Sequence, residues 1–224
     1  VAAALDRDGL DLVDGDIVVI ASKIASKSEG RRAADLPPSA RAHELAGVTG
    51  FPAPEVELIL SETRAVLRAA PGVLVVETHH GYICANAGVD RSNTGAPSGA
   101  LLLPADADAT AARVRDQLAT RYGAACAVLV SDTFGRPFRN GLVNVALGVA
   151  GMAAIRDYRG QVDPAGRVLK GTELAVADEL CAAAELVMNK LDRVPAALVR
   201  GYRHVPGAGR GADLLRDPAT DHFR

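Results

Sequence analysis

An apolar run, Ala125 to Val130, ends without transition in Ser131, Asp132 and Thr133, then gives way to Gly135, Arg136, Pro137, Arg139 and Asn140. No other stretch limits the fold as tightly. A short run with no polar face reads as a buried strand. A buried strand that delivers an acid and a hydroxyl to its C-terminal end is the usual build of an α/β ligand site. Asp132 beside Thr133 suits a hard cation such as Mg2+ or Mn2+, which takes oxygen ligands. Arg136 and Arg139 suit anionic oxygens. The alternative is a structural ion-pair loop with no ligand.

A chain of 224 residues makes one large domain or two small ones. Its formal net charge of -2 argues against a broad nucleic-acid footprint. No apolar run approaches the ~20 residues that span a bilayer, and no segment reads as a signal peptide. Cys84, Cys126 and Cys181 are widely spaced among apolar residues. They read as small buried hydrophobes of a reduced, cytoplasmic protein, not as a zinc or disulfide set.

The organisation is mixed α and β. Asp16 to Ala21 reads as a strand. Pro37 and Pro38 break the chain, and a helix is expected from about Ser39. Pro54 suits a helix's first turn. Val56, Ile59, Leu60, Thr63 and Leu67 share a helical face, with Glu57, Ser61, Arg64 and Arg68 opposite. Val73 to Thr78 and Tyr82 to Asn86 read as strands joined at His79-His80-Gly81. Thr110 to Tyr122 is helical, with Ala111, Val114 and Leu118 inward and Gly123 as the stop. Glu173 to Met188 reads as a helix and Ala196 to Arg200 as a closing strand. Beyond Tyr202 the chain is rich in Gly, Arg and Asp, which suggests a surface arm or linker. The elements do not alternate cleanly, which argues against a plain Rossmann domain.

Three further clusters bear on chemistry. Ala21 to Arg31 places Ser22, Lys23, Ser26, Lys27 and Arg31 just past a strand. Cations and hydroxyls in such a loop can hold phosphates, although no Walker A loop is present. A solvated loop is the plain alternative. Asn86 to Asn93 combines small residues with Asp90, a second candidate metal ligand, and Asn93, which can donate and accept at a polar ligand. A tight turn satisfied by its own backbone is the competing explanation. His79-His80 suggests a metal, but adjacent strand residues face opposite ways, so a hairpin corner is favoured. Two separated acids, a Lys/Ser loop, an Asn and several arginines suit metal-assisted phosphate chemistry.

Four motifs in order then become recognisable: GDIVVIASKIASKSEGR (Gly15 to Arg31), CANAGVDRSN (Cys84 to Asn93), SDTFGRPFRNG (Ser131 to Gly141), and TELAVADELCAAAELVM (Thr172 to Met188) followed by VPAALVRG (Val194 to Gly201). Together they closely resemble the coenzyme F420:L-glutamate ligases, from about Asp14 to Gly201. The resemblance implies an α+β fold of mixed sheets with packed helices, as in that family. It implies a ligase domain over residues 1–201, with 202–224 left as an arm or linker. It also implies that GTP and a divalent metal drive the joining of L-glutamate to a coenzyme precursor by an amide bond, through an acyl phosphate. Asp90, Asp132 and Thr133 match the family's metal ligands. Ser22, Lys23, Lys27 and Asn93 match nucleotide contacts. Arg136 and Arg139 are assigned by chemistry to phosphate or substrate carboxylate. K+ is a further candidate ion. A homodimer is expected, with no nucleic-acid or membrane partner.

Two departures accompany the match. Family members begin with a Gly/Leu/Pro segment that touches the nucleotide, whereas Val1 here falls inside the helix that follows it. After the long helix, Asn189-Lys-Leu-Asp-Arg193 replaces a Gly-rich turn bearing an acid, with Lys190 near the acid's place. The C-terminal stretch suggests the linker to a flavin-binding reductase domain, as in actinobacterial bifunctional relatives. Two other classes share part of the pattern: a metal-dependent phosphohydrolase and a non-catalytic deazaflavin-binding module. The acids Asp90 and Asp132 are expected to meet at one cation.

Overall fold

A computed structural model of the chain describes residues 1–92 and 99–221. In chain order the helices are α1 (Ala2–Arg7), α2 (Ser22–Ser28), α3 (Ala40–Thr49), α4 (Ala53–Ser61), α5 (Ala107–Tyr122) and α6 (Val176–Met188). The strands are β1 (Ile17–Ala21), β2 (Arg32–Ala33), β3 (Thr63–Ala70), β4 (Val73–Thr78), β5 (Ile83–Ala85), β6 (Ala100–Leu101), β7 (Ala127–Gly135), β8 (Leu142–Ala150), β9 (Arg156–Asp157), β10 (Glu173–Leu174) and β11 (Ala196–Val199). Helices and mixed sheets together make the α+β class that the sequence led us to expect. The chain divides into two compact units.

The first unit holds Val1–Ala21, Asp106–Thr133 and the residues from Asn144 onward. Its sheet has the order β11-β1-β7-β8. The apolar run expected to be buried is its inner strand β7, which pairs in parallel with β1 from Ile17–Ala127 to Ala21–Ser131. On the other edge β11 runs antiparallel to β1, with Ile17 opposite Val199. Ile17, Val19 and Leu129 alternate onto one face, where they join Val176, Ala177, Leu180, Cys181, Ala184 and Met188 of α6 in one core. Their neighbours Val18, Ile20, Val128 and Val130 are equally buried, so these strands read as unbroken apolar runs.

Helix α5 starts where Asp106 accepts a hydrogen bond from the Ala109 N–H at 2.8 Å and stops at Gly123, whose φ is 67°. Both ends use common capping devices. Within its first turn, Asp108 accepts from the backbone N–H of Val149 at 2.8 Å and of Gly211 at 2.9 Å. A Cβ at Gly148 would lie 2.3 Å from the Ala107 carbonyl oxygen, so only glycine lets β8 approach this helix.

The second unit holds Ser22–Ala105 and Phe134–Val143. Strands β3, β4 and β5 form an antiparallel meander. Its core gathers Ala42 and Leu45 of α3, Val56 and Ile59 of α4, and Leu74 and Val76 of β4. Ser39 caps α3 by accepting from the Ala42 N–H, and Gly50 closes it at φ 78°. Arg31 donates to the Leu103 carbonyl at 2.9 Å and to Glu62 at 2.6 Å, a structural tie within this unit.

Several expectations need correction. The helical face read through Thr63 and Leu67 stops at Ser61, and those two residues lie in β3. Pairing of β3 along β4 through the turn at Pro71-Gly72 outweighs the side-chain spacing. Helix α6 begins at Val176, because Glu173 and Leu174 pair instead with Asp157 and Arg156. The segment after Ala21 is the helix α2, not a loop. β7 continues past Thr133 to Gly135. The stretch after Gly201 is built into the first unit: Tyr202 and Leu214 pack on its core, and Gly209 donates to the Met152 carbonyl at 3.0 Å.

Candidate functional site

The C-terminal end of β7 is polar because Ser131 and Thr133 project there beside Asn144 of β8. Asn144 is only 4% exposed. An amide so deeply buried needs partners, and it has three. Its Nδ2 donates to Ser131 Oγ at 3.0 Å and to Glu185 Oε2 at 2.9 Å, and its Oδ1 accepts from Thr133 Oγ1 at 2.7 Å. Lys190 donates to the Thr133 hydroxyl, and its Nζ lies 3.7 Å from Glu185 Oε1. Asp132, half-buried, lies between Ser131 and Thr133 in the same strand.

Ser131 also bonds the thiol of Cys181. Burial, opposed by that bond, pushes this thiol up to about 12. It is a packed hydrophobe with its thiol held protonated, and the other two cysteines are also free and buried.

In the second unit, Asp90 is fixed by its backbone, which exchanges hydrogen bonds with Leu101 at 2.9 and 2.8 Å. Its carboxylate lies 2.5 Å from Lys23 Nζ and accepts from the Ser92 N–H at 2.6 Å. Desolvation raises its pKa, but the bonds from Lys23 and Ser92 outweigh it and hold the carboxyl below the usual range. Asp90 is therefore ionised at neutral pH. Next to it, Arg91 pairs with Asp35, and with Glu55 at 3.2 Å, which anchors this turn. The turn itself begins with Asn86, Ala87 and Gly88 in left-handed conformation, and Asn86 Oδ1 accepts from the Leu74 N–H at 2.9 Å.

Ser22 is buried at the start of α2, and Lys23 and Lys27 stand one helical turn apart. Residues at that spacing share a helix face, which a loop would not have ensured. Arg136 is half-buried and donates to the Asn140 carbonyl at 3.5 Å, while Arg139 is exposed. Asn93 lies outside the described residues. His79 and His80 occupy a hairpin corner, where their rings face the carbonyls of Ser61 and Ala105 at 3.2 Å each.

Of the expected residues, Asp132 and Thr133 fall in the first unit. Ser22, Lys23, Lys27, Asp90, Arg136 and Arg139 fall in the second. Lys23 and Asp90 are brought together. Asn144 and Glu185 were not singled out from the sequence. Each left a trace: Asn144 interrupts an apolar strand, and Glu185 follows Cys181 by one helical turn on the buried side of α6.

Among the described residues, no three His, Cys, Asp or Glu side chains gather as a metal-binding group. The donors present are carboxylate and hydroxyl oxygens. Those suit a hard cation that keeps several waters and takes only one or two carboxylates. Thr133 Oγ1 gives its proton to Asn144 and has two lone pairs, of which Lys190 uses one. The other could serve a cation. A separate cavity of about 930 Å³ in the first unit, lined by Asp14, Asp16, Arg115 and Arg200, opens at the other end of β1 and β7. It holds none of the expected site residues. No helix among the described residues is long and apolar enough to cross a membrane.

Residues 1–201 match the family model described as F420-0:gamma-glutamyl ligase. The chain is 45% identical to the coenzyme F420:L-glutamate ligase of Methanothermobacter thermautotrophicus, over 100% of this chain and 90% of that protein. It is 41% identical to the protein of the same name from Methanocaldococcus jannaschii, covering 94% of this chain and 85% of the relative. For the one from Archaeoglobus fulgidus the identity is 40%, with the same coverage.

Proposed function

The chain belongs to the F420-0:gamma-glutamyl ligase family, and from that premise we propose that it joins L-glutamate to the coenzyme F420 precursor, with GTP as the phosphoryl donor. The observation that carries this reading is the polar end of β7. There Ser131 and Thr133 share the face that meets Asn144, Asp132 stands between them on the other face, and Thr133 keeps one lone pair in reserve. A bare binding module has no need of such hard oxygen donors.

The chemistry balances in two steps. A carboxylate oxygen of the precursor attacks the γ-phosphorus of GTP, GDP leaves, and an acyl phosphate forms. The glutamate amine then attacks the acyl carbon, phosphate leaves, and the amine gives up a proton as the amide forms. Charge builds on phosphate oxygens in the first step, so catalysis is mainly positioning and neutralisation.

Asp132 and Thr133, and Asp90, are assigned as ligands of Mg2+ or Mn2+, which when bound neutralises phosphate oxygens. Asp90 suits that role because its carboxyl is already ionised at neutral pH. Ser22, Lys23 and Lys27 are assigned to the nucleotide. Lys23 pairs with Asp90 here, so its ammonium links the acid to the phosphate end of the ligand. Arg136 and Arg139 orient an anionic group, phosphate or substrate carboxylate. Asn93 completes the nucleotide set by its match to the family, and K+ is a further candidate ion. The active form is a homodimer.

The test is incubation with precursor, GTP, Mn2+ and L-glutamate, followed by mass analysis. Product heavier by whole glutamyl units is the expected result. GTP hydrolysis that ignores glutamate would instead identify a phosphohydrolase. Binding of the deazaflavin without any nucleotide turnover would identify a binding module.

A further inference from the structure

The Lys190 ammonium brings a positive charge to the cluster at the end of β7. Asn189 has a φ of 52° and reverses the chain after α6. Its Nδ2 donates to Asp192 at 2.9 Å, which holds the turn. The next side chain, Lys190, is thereby aimed back at Thr133 and Glu185. Glu185 gives one oxygen to the Asn144 amide, and its other oxygen is the one nearest Lys190. Thr133 gives its proton to Asn144 and so turns its lone pairs outward. The result is a pair of oxygens, one hydroxyl and one carboxylate, with a positive charge placed against both. Such an oxygen pair is what a hard cation seeks.

We infer that Lys190 is a tethered cation, which holds the Thr133–Glu185 corner and keeps a further divalent ion, beyond the one assigned to Thr133, off Glu185 Oε1. The inference rests on the metal-assisted reading above and refines it: Lys190 is a positioning residue that sets the charge beside Thr133. A compact ammonium on a flexible stem can do this. A second cation arriving at Glu185 Oε1 would be repelled by it.

The experiment counts Mn2+ bound per chain by electron paramagnetic resonance titration of free ion. It uses the whole chain with no nucleotide, deazaflavin or glutamate. Failure of the ligase reading therefore shows as absent glutamyl transfer, and failure of this inference as an unchanged metal count. Lys190 is 60% exposed, so Lys190→Ala is expected to fold, which circular dichroism checks. Lys190→Ala should bind one more Mn2+ than the parent chain, and Lys190→Arg should not. Adding Glu185→Gln to Lys190→Ala should remove the extra ion. The inference is overturned by an equal count in Lys190→Ala and the parent. It is equally overturned by a gain that Lys190→Arg shares, or by a gain that survives Glu185→Gln.

Discussion

Asn144 shows how much one buried side chain can be asked to do. Its amide is the only kind of group that can donate to Glu185 and Ser131 while accepting from Thr133, a combination a carboxylate cannot supply. Asn144→Asp would set an oxygen against Glu185 Oε2 at the 2.9 Å now spanned by a hydrogen bond. The expected loss at neutral pH is about 2–4 kcal/mol. Repulsion raises the folded-state pKa of the pair, so the folded variant binds the extra proton and its deficit shrinks in acid. Urea denaturation at about pH 7 and about pH 4.5 should show the gap to the parent chain narrowing. Asp16 has the opposite sign. It is 1% exposed and holds Arg200 through bonds of 2.9 and 2.7 Å. The Arg200 bond lowers its pKa most, desolvation opposes, and the Val13 N–H and the Arg200 charge assist. A depressed folded-state pKa means that the stabilisation is present above the ordinary Asp value and lost as pH falls through the folded one. Because Arg200 is half exposed, Asp16→Asn should cost only about 1–3 kcal/mol at neutral pH. Thermal melts of parent and variant should converge in acid; a constant offset would show that the ion pair is not the cause.

At the scale of elements, the step from β1 into α2 matters most for the proposed nucleotide site. Helical geometry sets Lys23 and Lys27 on one face. Lys27→Ala should weaken GTP binding about ten- to a hundredfold, the value of one charge-assisted bond. Calorimetric titration with GTP decides it: an unchanged affinity removes Lys27 from the nucleotide set. Strand β8 offers a packing test. Gly148 has no room for a Cβ against the Ala107 carbonyl, and the start of α5 is pinned there by Asp108. Gly148→Ala should therefore destabilise the chain by about 1–3 kcal/mol through overpacking, read as a lower denaturation midpoint with an unchanged slope.

For the whole molecule, the unexplained surface is apolar. Leu186 and Val187 on α6 are 79% and 64% exposed, and Leu191 in the following turn is 86% exposed. Large apolar groups gathered on one stretch mark an interaction surface more often than a free one. A symmetric dimer would cover them on both chains at once. Sedimentation at micromolar concentration should give twice the 23.2 kDa of a single chain, and Leu191→Asp should shift the mass toward one. A clean single-chain mass for the parent protein would refute the dimer.

Much of this was legible in the residues themselves. Burial of β1 and β7, the helix start near Ser39, the stop at Gly123 and the hairpin at His79-His80 follow from local apolar runs and turn residues. Those signals act within a few positions, so the chain carries them wherever it goes. The four motifs were legible for the same reason, as contiguous strings. Other features were decided only by tertiary structure. Thr63 and Leu67 have helical spacing, yet the partner strand β4 claims their backbone. Glu173 and Leu174 are drawn from the start of α6 by Arg156 and Asp157. The Gly- and Arg-rich tail has few apolar residues of its own, but Tyr202 and Leu214 find a core built by α6 and β1. Asn144 comes from β8, and Glu185 and Lys190 from α6 and the turn after it; Asn144 and Glu185 alone read as ordinary polar residues, and Lys190 only as a departure from the family pattern. A network of hydrogen bonds exists only once distant strands and helices have met, and no local pattern encodes that meeting.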